Sequence, residues 1–91
     1  MATNIVQIED KERNRQVLRV SGEMFLEDAL LLEKIALEMR ENLGQNLTLD
    51  LADLDFLDSD SAPILKRLER EHKFKLEGLE IFLQKTINNA D

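Results

Sequence analysis

The sequence predicts a small α/β protein: a mixed β-sheet with helices, its elements in the order β-β-α-β-α-β, forming one domain over residues 1–91. Three observations carry this prediction. Residues 26–43 repeat apolar side chains at three- and four-residue steps, which is the period of a helix. On both sides lie short segments rich in Val, Ile and Leu that alternate or run continuously, as strands do. After the apolar run at 47–51, a cluster of aspartates and serines leads into Pro63 and a second helical pattern. Helices placed between strands favour parallel neighbours joined by right-handed crossovers.

Residues 4–9 alternate weakly around Ile5, Val6 and Ile8 and fit an edge strand. Residues 10–14 are wholly polar and fit a hairpin loop, although they lack the Asn-Gly or Asp-Gly pair of a tight turn. Residues 15–20 alternate better, with Val17, Arg15 and Arg19 on one side and Leu18 and Val20 on the other. Ser21-Gly22 is expected to break that strand. In the long helix, Ala29, Leu32, Ile35, Ala36, Met39 and Leu43 form one stripe. Glu27 and Asp28 suit the positive end of the helix dipole, and Gly44 is placed as a C-cap. Leu30, Leu31 and Leu37 widen the apolar face; cover by sheet and neighbours explains this, and a protein contact at Leu30 and Leu37 is the alternative. The second helix is expected over about residues 60–73. It would bury Ile64, Leu65 and Leu68 with His72 or Phe74, and expose Lys66, Arg67, Arg70 and Lys73. After Gly78, residues 79–83 alternate as a further strand, and 84–91 form a polar tail around Ile87.

Composition narrows the function classes. An apolar fraction of 43% suffices for one core, and four Phe without Trp or Tyr make that core mainly aliphatic. A net charge of −7 opposes nonspecific nucleic-acid binding, because phosphates would meet a repulsive field. Cysteine is absent, so neither a disulfide nor a thiolate metal site is available. No apolar stretch reaches the roughly 18–20 residues that span a bilayer. The N-terminus lacks the basic-then-apolar form of a secretory signal, so a cytoplasmic protein without membrane insertion is expected.

Catalytic signals are weak. His72 is the one histidine and has no cysteine or second histidine to work with; Ser59 and Ser61 have no evident base. The glycines stand alone at 22, 44 and 78, unlike a phosphate-cradling loop. Five aspartates at 50, 53, 55, 58 and 60 invite a metal reading. Phe56 and Leu57 interrupt the alternate ligand positions of a calcium loop, however, and its turn glycine is missing. An aspartyl phosphatase would need a much longer domain and a distant lysine. No catalytic residue, cofactor or metal is expected. Asp58 or Ser59 is expected to cap the second helix, contributing about 1 kcal/mol.

The same stretch resembles the central motif of the STAS domains, the family of bacterial anti-sigma-factor antagonists and of the cytoplasmic domains of sulfate transporters. Its pattern is a strand ending in Asp, then Phe-hydrophobic-Asp-Ser-Ser-Gly, then a hydrophobic helix. Asp50, Phe56, Leu57, Asp58 and Ser59 stand at matching positions, while Asp60 replaces the second Ser and Ser61 the Gly. Val20-Ser21-Gly22-Glu23 resembles the strand-Gly-Glu before the family's first long helix, with Phe25 where an Asp is usual. The resemblance implies a third helix after the last strand. The chain stops near there, so it is expected to lack that helix and to leave part of a sheet face open to a homodimer contact or a partner helix.

In STAS antagonists the second Ser, or a Thr there, is phosphorylated by the partner anti-sigma factor acting as a kinase, and the unphosphorylated form binds that partner. A phosphate at a helix N-terminus suits the dipole but adds up to about two negative charges to an interface. Asp60 carries one such charge and is no substrate for a serine kinase. The resemblance therefore implies loss of the usual switch, with phosphorylation at Ser59 or Ser61 as the alternative. The expected function is a non-enzymatic, regulatory protein-binding module acting through Asp58, Ser59, Asp60 and Ser61. Lys66, Arg67 and Arg70 would steer the partner, an anti-sigma factor or kinase-like protein. The alternative is the small STAS subunit of a lipid-transport ATPase complex, and the third option a metal- or phosphate-handling enzyme.

Overall fold

The structure, a computed structural model, describes residues 3–43 and 47–78. Strand β1 spans Thr3–Asp10, β2 Arg15–Met24, α1 Leu26–Leu43, β3 Leu47–Leu57, α2 Ala62–Arg70 and β4 Lys75–Glu77. The sheet order is β1-β2-β3-β4. A hairpin makes β1 antiparallel to β2, while β3 and β4 join in parallel through the crossovers α1 and α2. This is the mixed α/β sheet expected from the alternation of strands and helices.

Alternation along the strands decides what each face does. Leu18 and Val20 of β2 and Leu47, Leu49 and Leu51 of β3 point to the helices. There they meet Ala29, Leu32 and Ala36 of α1 and Ile64, Leu65 and Leu68 of α2 in one buried cluster. The helical stripe of α1 lies where its period places it; Ile35, Leu37 and Met39 pack partly buried against the same core. Leu30 remains 44% exposed, so of the two candidate contact leucines only Leu30 is left at the surface while Leu37 joins the core. The Leu43 side chain and Gly44 lie outside the described residues.

The opposite sheet face is bound by charge. Arg15 donates to Asp10 on β1 at 3.0 Å and to Glu77 on β4 at 2.9 Å, reaching over Thr48 of β3 at 3.4 Å. Arg19 pairs with Asp50 at 3.4 Å. The Arg15 guanidinium holds both Asp10 and Glu77 below their ordinary carboxylate values. Among the described residues this face carries ion pairs rather than a continuous apolar patch.

Several boundaries differ from the expectation, each for a physical reason. Ser21-Gly22 does not end β2: the strand bulges there, with Gly22 at φ 88°, and stays paired to β3 as far as Met24. β3 runs eleven residues instead of five, because Leu51 and Leu54 remain core-facing between the aspartates. α2 is shorter at both ends than expected. It stops at Arg70, and Lys73 then takes the left-handed conformation at φ 62°, with the Phe74 N–H donating to Leu68 O at 3.0 Å. Of the two candidates for the end of the buried face, Phe74 is the one that is buried, brought there by this turn. The sequence reading did not single out β4, Lys75–Glu77, which lies just before Gly78. A Cβ on Gly78, which has φ +80°, would sit 2.5 Å from the Ala52 nitrogen, so the chain leaving β4 crosses β3 where only glycine fits. The strand expected at 79–83 and the tail at 84–91 lie outside the described residues.

Candidate functional site

The parallel strands β2 and β3 end together, and their C-terminal edge carries the acidic turn. The Asp58 N–H donates to Met24 O at 3.1 Å, which fixes the end of β3 to the end of β2. The chain then doubles back at once. The Ser61 N–H donates to Asp58 Oδ1 at 2.9 Å, and the Ser61 hydroxyl donates to the same oxygen. One carboxylate thus closes a four-residue turn, as Asp commonly does.

This geometry divides the four candidate residues. Ser59 and Asp60 form the exposed tip, and Asp58 is half-buried beneath them. Ser61 is 0% exposed. Its carbonyl accepts the first helical N–H groups, from Ile64 at 3.0 Å and Leu65 at 3.2 Å. Ser61 is therefore the N-cap residue of α2, but its hydroxyl is turned to Asp58 and makes no cap bond. This corrects the expectation that Asp58 or Ser59 caps the helix directly. The Ser61 hydroxyl is thus buried, and that of Ser59 exposed.

Beside the turn stands a feature that the sequence pattern did not single out. Phe25, at the start of α1, and Phe56, near the end of β3, place their rings 5.4 Å apart with planes at 45°. They remain 47% and 43% exposed. Leu26 and Leu30, one helical turn apart, extend the apolar surface along α1. Phe25 is held by its own helix: its N–H donates to Asp28 Oδ2 at 2.9 Å, the carboxylate half of a capping box. Only the parallel register, which sets Glu23 opposite Phe56, brings the rings together.

The basic flank of α2 also divides. Lys66 and Arg70 are exposed. Arg67 instead makes two 2.6 Å bonds to Glu33 of α1, and His72 Nε2 lies 3.2 Å from the same carboxylate. The hydrogen bonds from Arg67, then its charge and His72, hold Glu33 below its ordinary value despite its partial burial. Arg67 thus clasps α2 to α1.

Among the described residues no three His, Asp or Glu side chains gather in a way that could hold a metal ion. Asp50 faces Arg19 and the Ala52 N–H, while Asp58 is occupied by Ser61. No helix of the described residues is long and apolar enough to cross a membrane.

Among solved structures the chain is similar to the crystal structure of an antisigma-factor antagonist, a STAS domain from Rhodobacter sphaeroides. The TM-score is 0.64 at 18% sequence identity, covering 92% of this chain and 95% of that one. No family model and no curated protein matches the sequence. The chain has a STAS-like fold.

Proposed function

We propose that the protein is a non-catalytic, regulatory binding module that docks a protein partner on the C-terminal edge of β2 and β3. The observation that carries this is the exposed Phe25–Phe56 pair beside the exposed Ser59-Asp60 tip. Two aromatic rings half in water are a poor choice for a surface that meets only solvent. They are well suited to anchor a contact whose rim is polar. The solved antisigma-factor antagonist of the same fold supports the regulatory class, with an anti-sigma factor or kinase-like protein as partner.

In this proposal Asp60 gives the interface a permanent negative charge where the resembled motif has a phosphorylatable Ser. Glu23, Glu27 and Asp55 are exposed on neighbouring positions, so the partner surface is expected to be basic. Lys66 and Arg70 lie on α2 as the steering positions, without Arg67.

The test is differential affinity capture from the source cells. Wild type is compared with Phe56→Ser, Asp60→Lys and an outer-face control, Val6→Ser. The expected outcome is a protein retained by wild type and by Val6→Ser but lost from both site variants. Equal retention on all four would end the proposal.

A further inference from the structure

We propose a second site at the other end of the molecule: a basic concavity, at the N-terminal ends of the parallel strands, that binds a compact phosphate-bearing ligand. The concavity has a volume of about 360 Å³ and is lined by Arg13, Arg15, Arg40, Lys73 and Lys75, with Phe74 beside them. That volume lies within the range of small-ligand sites. Five of the chain's 12 Lys and Arg residues meet here although the net charge is −7, and no carboxylate is among the described lining residues.

The carboxylates nearby do not balance this charge. Asp10 and Glu77 take up Arg15 from the outer sheet face, and Glu77 lies 3.5 Å from Lys75. Among the described residues no carboxylate forms an ion pair with Arg40 or Lys73, and the Arg13 charge is attracted to Asp10 without a direct ion pair. The C-termini of α1 and α2 draw cations to this end and account for Arg40 and Lys73 taken singly. They do not account for Arg13, on the hairpin, or Lys75, on β4.

Two details favour a binding role over a solvated surface. The Arg40 guanidinium lies 3.9 Å over the Phe74 ring, which holds it in place while leaving its N–H edge to fork onto an oxyanion. Lys73 occupies a left-handed position with φ 62°, where glycine is the usual residue after a helix and a side chain is strained. Strain of this kind is tolerated where the side chain is needed.

Isothermal titration with pyrophosphate at low salt tests the proposal on the full chain. Wild type is expected to bind saturably in the micromolar to low millimolar range. Arg40→Gln and Lys73→Gly should each weaken binding by about tenfold or more, the effect of losing one charge-assisted hydrogen bond. Arg70→Gln, outside the concavity, should bind as wild type. Lys73→Gly also separates binding from folding, because it should raise the melting temperature while lowering affinity. A parallel arm uses phosphatidylcholine vesicles containing phosphatidic acid. Variant-sensitive binding to vesicles alone assigns the phosphate to a lipid headgroup, and to pyrophosphate alone to a soluble ester. Absence of saturation in both arms, or equal weakening by Arg70→Gln, overturns the site.

Discussion

Replacing Asp58 with Ala tests how the acidic turn is built. Asp58 Oδ1 accepts both the N–H and the hydroxyl of Ser61, a residue with no solvent exposure. The Ser61 N–H keeps a second acceptor, Asp58 O at 3.2 Å, whereas the hydroxyl donates to Oδ1. The variant therefore strands one buried hydroxyl, at about 1–3 kcal/mol, and loses one charge-assisted backbone bond, at about 1.5–3 kcal/mol gross and less after the remaining bond. A net loss of about 2–3 kcal/mol is expected in urea unfolding followed by circular dichroism. Asp58→Asn keeps the accepting oxygen and should lose about 1 kcal/mol or less. The decisive comparison is the double variant Asp58→Ala/Ser61→Ala, which removes the stranded hydroxyl along with its acceptor. It should be more stable than the sum of the single changes by about 1 kcal/mol or more. Additive losses, or equal midpoints for Asp58→Ala and Asp58→Asn, would refute the idea that this carboxylate holds the turn through Ser61.

Gly78→Ala should destabilise by more than about 2 kcal/mol in thermal unfolding, since the left-handed backbone and the clash with Ala52 act together. Glu33→Gln should cost about 1 kcal/mol, discounted for the 39% exposure of Arg67, and should act by loosening α1 from α2. Glu33, Asp10 and Glu77 all have lowered folded-state values, so their stabilisation is complete above the ordinary ones, 4.5, 3.8 and 4.5, and is lost as pH falls through the lowered ones. Urea midpoints should therefore decline as pH falls below about 5, and the decline should be shallower in Glu33→Gln. Incubation with a serine kinase followed by mass spectrometry should place any phosphate on Ser59; phosphate on Ser61 in the folded protein would show that the turn opens.

Local pattern and tertiary placement contributed differently to what could be read in advance. The apolar stripe of α1 repeats at its own period, so both ends of Leu26–Leu43 were legible. The run from Leu47 was legible as a strand, but its continuation to Leu57 was hidden because alternate aspartates imitate a polar link. The acidic tip at Ser59 and Asp60 stood out by composition. The burial of Ser61 did not, because it depends on how tightly Asp58 folds the chain back. Arg67 belongs to Glu33 across 34 positions, and Phe25 meets Phe56 only through strand register. No periodicity reports such pairs. The resemblance to STAS domains had weight because it specified an order of elements, and order is what long-range placement depends on.

The separation of charge along the strands has a consequence for how the two ends communicate. The eleven residues of β3 place them roughly 30 Å or more apart. At physiological ionic strength electrostatic influence through solvent fades over about 8 Å. An anion filling the basic concavity would therefore be almost invisible, as a charge, to a protein resting on Phe25 and Phe56. Any message between them must travel mechanically, as a shift in the β3 backbone or in the seating of α2, whose last turn borders one site and whose first turn begins at the other.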